Sequence, residues 1–112
     1  MKYKIYYFSN SRGDEIVANF ISSLDVSTRA RTMRLIDLLE VYGNRLGLPY
    51  SKKITRQLYE LRARGKNHIR IIYSFIGNDI FLLHGFKKKT SKIPKKELEL
   101  AQKRYKYIVD RQ

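Results

Sequence analysis

Three consecutive segments rich in β-branched and aromatic residues most constrain the fold of this chain. They cover about Gln57 to Arg64, His68 to Phe75 and Asp79 to Lys87. Each segment is typical of a β-strand. Gly77-Asn78, which separates the second segment from the third, is typical of a two-residue hairpin turn. Strands joined in this way pair as neighbours, so an antiparallel sheet is predicted.

The residues before these strands predict one further strand and two helices. Lys2 to Phe8 is aromatic and β-branched, as in a short strand. Asp14 is a candidate cap for a first helix, whose apolar residues recur at helical spacing: Val17, Phe20, Ile21 and Leu24. Ser27 is a candidate cap for a second helix that ends near Tyr42, with one apolar stripe: Met33, Ile36 and Leu39. The short break between the helices predicts an antiparallel helical hairpin.

A last helix follows the strands. Pro94 suits its first turn, and one of its faces is apolar: Leu98, Ala101, Tyr105 and Ile108. Residues 43–54 are polar and rich in turn formers, so no element is predicted there. The element order is therefore β-α-α-β-β-β-α. It predicts a small α+β fold with a mainly antiparallel sheet and an N-terminal helical hairpin, over residues 1–112 as a single domain.

The absence of cysteine limits the chemistry of the chain. With no cysteine there is no disulfide, no thiolate zinc site and no cysteine nucleophile. The first residues lack the apolar stretch of a secretion signal, and no apolar run is long enough to span a bilayer. A cytoplasmic protein without a membrane association is therefore expected.

Positive charge is concentrated in the second part of the chain. Residues 1–44 carry six basic and five acidic side chains, whereas residues 45–112 carry eighteen and five. Nearly all of the net charge of +14 thus belongs to the later segment. A localised basic surface attracts polyanions, so nucleic acid or an acidic protein is the expected partner.

Side-chain alternation predicts where this charge gathers. A short hairpin loop around Gly65 would place Arg62 opposite Arg70. Counting back from the Gly77-Asn78 turn predicts three further pairs: Ile72 with Leu83, Arg70 with Gly85, and His68 with Lys87. One end of one sheet face should then collect four basic residues: Arg62, Arg64, Arg70 and Lys87. Gly85 would leave room for a ligand opposite Arg70, and an external anion would relieve the repulsion.

Such a cluster suits metal-independent RNA cleavage. Arginine binds phosphate through a planar fork and stabilises the charge that develops on it. A lysine can take part in proton transfer if crowding lowers its pKa, and packing of the lysines at 87–89 against Arg70 would have that effect. His68 is either an acid or base beside the cluster or a solvated turn residue. His84 is predicted to be a satisfied core histidine on the face of Ile80 and Phe86, and the histidines form no credible metal site.

The second half of the chain resembles a known toxin family. The resemblance lies in motifs whose order and spacing are specific together: Leu58-Tyr59-Glu60-Leu61-Arg62, Arg70-Ile71-Ile72-Tyr73, Leu82-Leu83-His84-Gly85-Phe86-Lys87-Lys88-Lys89-Thr90, Pro94, and Glu97 to Ala101. These motifs are similar to those of the HigB-type branch of the RelE-like toxins, phage-derived relatives included. The resemblance covers roughly residues 55–105. Ile93 departs from it, because the family has a capping Thr or Ser just before the proline.

The resemblance implies a fold, an activity and partners. It implies a compact sheet with an N-terminal helical pair, a cognate antitoxin that is usually a helix-turn-helix DNA-binding protein, and cleavage of mRNA on the ribosome without a metal or other cofactor. It implies catalytic roles for four residues: Arg62, Arg70, Lys87 and Lys88. RNA-backbone binding is predicted for four others: Arg64, Lys66, His68 and Lys89. The general base stays unassigned.

Two other functions are compatible with the same sequence. One is a non-enzymatic poison of a DNA topoisomerase, since a fold does not fix a function. The other is a nucleic-acid-binding module without catalytic activity, which would bind many nucleic acids in a salt-dependent manner.

Overall fold

The computed structural model describes residues 2–112 and confirms the α+β class. Its elements, in chain order, are β1 (Lys4–Tyr7), α1 (Ile16–Ser22), α2 (Val26–Tyr42), a short 3-10 turn (Gly43–Arg45), β2 (Ser51–Lys53), β3 (Tyr59–Ala63), β4 (Ile69–Ile76), β5 (Asp79–Lys87) and α3 (Lys95–Val109). The strand β2 was not predicted, so the sheet has five strands rather than four.

The five strands form one open sheet in the order β1-β5-β4-β3-β2. β1 pairs in parallel with β5, and the other neighbours are antiparallel. The two helices between β1 and β2 carry the chain from one edge of the sheet to the other. β2 is therefore an edge strand, and its three residues pair only with β3.

Helices cover both faces of the sheet. Gly85 and His84 are adjacent in β5 and point to opposite faces. A side chain at Gly85 would collide with Phe20 of α1, whereas His84 contacts Glu97 of α3. The helical pair thus covers one face and α3 covers part of the other. The core between these layers is made of aliphatic side chains of the central strands, with Val17, Ile21 and Leu39 of the helical pair packed among them.

Both helical caps differ from the prediction. Asp25, not Ser27, caps α2, because its carboxylate accepts a hydrogen bond from the Thr28 backbone N–H at 3.2 Å. Ser27 instead donates its hydroxyl to the same carboxylate. Asp14 does not cap α1, since its carboxylate accepts a hydrogen bond from the Asn10 side chain within the preceding loop.

The buried stripe of α2 also differs from the apolar pattern. Ile36 and Leu39 are buried as predicted, but Met33 is 37% exposed. Thr28 and Thr32 are buried in its place, and the Thr32 hydroxyl donates to the Thr28 carbonyl. A buried threonine whose hydroxyl bonds within its own helix behaves as a core residue, and an apolar pattern does not count it.

A bulge in β5 changes the predicted register. Ile76 pairs with Asp79 as predicted, but the ladder shifts by one residue between Ile72 and Tyr73. Beyond this point three pairs replace the predicted ones: Ile72 with His84, Arg70 with Phe86, and Ile69 with Lys87. A shift of one residue reverses the face of each later side chain. His84 and Phe86 therefore share the face of Arg70, while Ile80 lies on the opposite face.

Within residues 2–112, none of the helices combines the length and the apolar character needed to cross a membrane.

Candidate functional site

Arg62 and Arg70 face each other across β3 and β4, as alternation predicted. They lie on the face of the sheet that α3 partly covers. Arg70 is only 4% exposed, and its Nε lies 3.0 Å from Oε1 of Glu60, which is buried as well. The sequence placed Glu60 near the cluster. It did not predict that Arg70 is buried and paired to that carboxylate.

Three buried side-chain atoms at this position have no hydrogen-bond partner among residues 2–112: Glu60 Oε1, Arg62 Nε and Arg70 Nε. Two of these atoms, Arg70 Nε and Glu60 Oε1, form the ion pair at 3.0 Å, so only Arg62 Nε has neither a hydrogen bond nor an ion-pair partner among residues 2–112. The Arg70 guanidinium also donates from NH1 to the Ile69 carbonyl at 3.2 Å. Buried polar atoms are normally paired, so the donor left open on Arg62 favours an external acceptor.

Burial lowers the pKa of Arg70 below its ordinary value. The Glu60 carboxylate opposes this change, whereas the charges of Arg62 and Arg64 add to it. One carboxylate thus faces several positive charges. A bound anion would stabilise the guanidinium groups that burial and mutual repulsion now penalise.

Lys88 lies beside the arginines because of the bulge. Its backbone N–H donates to the His68 carbonyl at 2.7 Å, which fixes the chain just after β5. Burial lowers the pKa of the Lys88 ammonium, and the Arg70 charge lowers it further. The sequence predicts that packing of the lysines at 87–89 against Arg70 lowers a lysine pKa. In the structure Lys88 has such a lowered pKa.

Two clefts meet at Lys88. The smaller, of about 210 Å³, is lined by His68, Arg70, Lys88, Lys89 and Thr90. The larger, of about 410 Å³, lies between β2, β3 and the segment before α3, and its polar lining includes Lys52, Lys53, Glu60, Arg62, Lys88 and Lys92. Glu60 is the one acidic residue among the described residues that line either cleft. We call the two together the basic cleft.

Several predicted site residues lie outside the basic cleft. Lys87 pairs with Ile69 and so belongs to the opposite face, since the bulge exchanges its position with that of Lys88. Lys66 is exposed in the loop between β3 and β4. Arg64 is exposed at the end of β3, close enough to lower the Arg70 pKa, but it lines neither cleft. Gly85 gives no room for a ligand, because the space beside it is filled by Phe20.

Lys52 is a cleft residue that the sequence did not indicate. It pairs with Glu60 in the β2–β3 ladder and therefore points to the same face as Arg62. Its charge also contributes to the lowered pKa of Lys88. β2 is three residues long and follows a polar loop, so neither periodicity nor composition marks it as a strand.

His84 is satisfied, as predicted, but away from the basic cleft. Its Nε2 lies 2.8 Å from Glu97 Oε1, and Arg104 of the same helix lies 3.1 Å from its Nδ1. Burial lowers the pKa of His84. The neutral ring can then donate to Glu97 and accept from Arg104, which connects α3 to β5. No group of three or more His, Asp or Glu side chains in residues 2–112 is arranged to hold a metal ion.

Fold and site together define a class of protein. It is a small, strongly basic α+β protein whose central strands carry a cluster of arginine and lysine side chains with a single carboxylate partner. The chain belongs to the family described as phage-derived protein Gp49-like, whose model matches residues 19–106. This is a family of toxins of toxin-antitoxin systems within the RelE/ParE-like superfamily, and membership in it implies a cognate antitoxin as a partner. No curated protein has significant similarity to the chain.

Proposed function

We propose that this toxin is a metal-independent endoribonuclease of the HigB type that cuts mRNA on the ribosome, in the cytoplasm. The observation that carries the proposal is the convergence of Arg62, Arg70 and Lys88 on the basic cleft, with a buried Arg62 donor that lacks a partner among residues 2–112. Family membership supports a toxin, and this arrangement favours RNA as the target.

The cleft residues suit attack by the RNA's own 2′-hydroxyl. The 2′-oxygen forms a bond to phosphorus while the bond from phosphorus to the 5′-oxygen breaks, which leaves a 2′,3′-cyclic phosphate and a 5′-hydroxyl. Arg62 and Arg70 hold the phosphate and stabilise the charge that develops on its oxygens. These steps require no metal ion.

Lys88 is proposed to accept the proton of the 2′-hydroxyl. Its lowered pKa increases the fraction of neutral amine available as a base. The 5′-oxygen takes up a proton from water or from another ammonium group of the cleft. Lys89 and His68, which line the smaller cleft, are proposed to hold the flanking backbone, with Arg64 and Lys66 further out. Lys87 has no role in this scheme, because it lies on the other face of the sheet.

The proposal is tested by mapping the 5′ ends of a reporter mRNA in a bacterial translation extract, with and without ribosomes. Arg62→Ala should slow cleavage on the order of 100- to 1000-fold, the loss expected for one stabilising donor. Arg70→Lys keeps a positive charge beside Glu60 but loses the planar fork, and should also be severely impaired. Arg70→Ala is less informative, because it leaves Glu60 buried without its partner.

The matched control is Arg34→Ala, which removes one exposed arginine of α2 far from the basic cleft in sequence and element. It should cleave like the wild type. Intact mRNA in the presence of folded wild-type toxin and ribosomes would overturn the proposal. DNA-damage signalling after induction would then favour the topoisomerase poison.

A further inference from the structure

A second cavity lies on the other side of β2 from the basic cleft. It has a volume of about 380 Å³ and lies under the loop that joins the 3-10 turn to β2. Its lining includes Asn44, Leu48, Ser51, Lys53, Tyr59 and Tyr73. Lys52 and Lys53 line both this cavity and the larger cleft. The two spaces are thus separated by a single edge strand.

The floor of the cavity is aromatic. Tyr59 is half-buried and stacks on Tyr73, with ring centroids 5.5 Å apart and an angle of 19° between the ring planes. Phe75 supports Tyr59 edge-on, at 88°. The Tyr73 hydroxyl is bonded to Ser51, and burial raises its pKa to about 12. The floor is therefore a rigid, uncharged surface, and it suits a planar ligand.

The rim of the cavity carries a positive charge, from Lys53, and an amide that can form hydrogen bonds, from Asn44. The Lys53 ammonium lies 5.8 Å from the centre of the Tyr59 ring, and the exposed Asn44 amide forms no hydrogen bond within residues 2–112. An asparagine amide can both donate and accept, as the edge of a nucleobase requires. Leu48 and Tyr50 of the same loop are 67% and 43% exposed. Phosphate binding alone does not account for so much exposed apolar surface.

The loop above the cavity is connected to the phosphate-binding strand. The Arg62 backbone N–H donates to the Tyr50 carbonyl at 2.8 Å. The residue proposed to hold the scissile phosphate is therefore directly bonded to the loop that covers the aromatic floor. A ligand that occupied both the cavity and the basic cleft would contact β2, β3 and the loop before β2, which are joined by backbone hydrogen bonds.

We propose that this cavity binds one unstacked nucleobase of the RNA strand whose phosphate lies in the basic cleft, and that it contributes to the base preference of the toxin. The inference rests on the proposed function, because it assumes that an RNA strand bound in the basic cleft continues across β2 into the cavity. The shared lysines favour RNA over a protein segment, because they attract the backbone on both sides of β2. Tyr59 provides the stacking surface, and Asn44 provides hydrogen bonds that differ between bases.

The test is a binding cycle with short, uncleavable oligoribonucleotides in which successive positions are made abasic. Fluorescence anisotropy would measure the affinity of the folded protein for each. In the wild type, one abasic position should weaken binding about 5- to 150-fold, the range for loss of one stacked base. In Tyr59→Leu the same position should make little difference. Asn44→Ala should keep the stacking but reduce discrimination between bases at that position.

Tyr6→Leu is the matched control for Tyr59→Leu. Tyr6 is also a partly exposed strand tyrosine stacked on an aromatic neighbour, Phe81, but it lies in β1 at the opposite edge of the sheet. It should leave the abasic effect unchanged. If Tyr59→Leu unfolds the protein, Asn44→Ala still decides, since Asn44 is exposed.

Two results would overturn the inference. One is an abasic effect that is absent from the wild type or equal in Tyr59→Leu, Asn44→Ala and the wild type. The other is unchanged oligonucleotide binding by both variants together with loss of antitoxin binding, which would assign the cavity to a protein. Failure of the proposed nuclease activity is a separate result, because the binding cycle requires no cleavage.

Discussion

Lys88 is the proposed catalytic residue whose pKa the fold changes, and this change bears directly on its role as a base. Its ammonium is partly desolvated and lies near Arg70, and both effects favour the neutral amine. Because the unfolded chain then holds this proton more tightly than the folded one, Lys88 makes folding less favourable at neutral pH. This penalty is relieved as the pH rises from the lowered pKa towards the ordinary lysine value.

The same shift predicts the pH dependence of cleavage. If Lys88 acts as the base, the single-turnover rate should rise with pH until Lys88 is neutral, with an apparent pKa below that of an ordinary lysine. Lys88→Met should remove this rise and lower the rate about 100-fold or more, as for loss of a general base. The measurement is cleavage of a short RNA across a pH series with each protein.

Lys87→Met is the control for this prediction. It removes the neighbouring lysine, which is exposed on the other face of the sheet. Its profile should follow that of the wild type. An unchanged pH profile in Lys88→Met, or loss of activity in Lys87→Met alone, would assign the proton transfer to another residue.

Burial is also the property of single residues that the sequence predicted least well. Alternation along two adjacent strands was sufficient to place Arg62 opposite Arg70, because that pairing is local. Whether Arg70 is exposed depends on side chains outside its own strand, among them Glu60 of β3 and the residues just after β5. Its 4% exposure, and the pairing to Glu60 that accompanies it, are tertiary properties that a strand pattern does not contain.

At the scale of elements, α3 is held to the sheet by a polar network that requires a neutral histidine. Nδ1 of His84 accepts from Arg104 only while it is unprotonated. Because burial lowers the His84 pKa, the stabilisation is present above the ordinary histidine pKa of about 6.5 and is lost as the pH falls through the lowered value. The Glu97 hydrogen bond opposes the shift, and the Arg104 charge adds to it.

We therefore expect α3 to open more readily in mild acid than the rest of the fold. Hydrogen exchange of the α3 amides, corrected for its intrinsic pH dependence, should show protection that falls as the pH is lowered below the ordinary histidine pKa of about 6.5. His84→Gln should make the protection of α3 much less dependent on pH. His68→Asn, a change at the exposed histidine, should leave the dependence intact. Protection that falls equally in all elements would contradict a local role for His84.

The elements themselves were largely predictable, and their exceptions have physical causes. The strands β3, β4 and β5 and the helices α1 and α3 were predicted from apolar and β-branched patterns, whereas α2 was predicted as a helix but buries Thr28 and Thr32 where the pattern placed Met33. β2 was missed because it is short, polar and at an edge, where its stability comes from backbone pairing with β3. The bulge in β5 was missed because a register counted from a turn assumes an uninterrupted ladder.

At the scale of the whole molecule, the net charge of +14 governs how the toxin meets its partners. Each phosphate contact releases counterions from the nucleic acid, so affinity falls with salt. If about four cleft cations contact phosphates, the logarithm of the association constant for single-stranded RNA should fall with the logarithm of salt concentration with a slope of about −3. Titration of a fluorescent RNA at several salt concentrations measures this slope.

Two variants separate the contribution of the basic cleft to this salt dependence from that of the other exposed charges. Arg62→Ala should reduce its magnitude by about 0.7, the value for one contact to a single strand. Arg34→Ala carries the same loss of charge outside the cleft and should leave the slope nearly unchanged. Equal changes in both variants would mean that the RNA samples the basic surface without a defined site. The charge asymmetry along the sequence predicted a polyanion partner, but only the fold identifies which cations act together.

The bulge in β5 affects how relatives of this chain should be aligned. Three consecutive lysines end the strand, and a comparison of sequences that counts from the hairpin turn would match the wrong one with the cleft. In a homologue whose ladder runs without the extra residue, the lysine aligned with Lys87 would occupy the place that Lys88 has here. Which lysines are structurally equivalent at this position is therefore decided by strand pairing in the sheet, and not by their column in a sequence alignment. Two toxins with the same Lys-Lys-Lys motif can use different members of it for the same task.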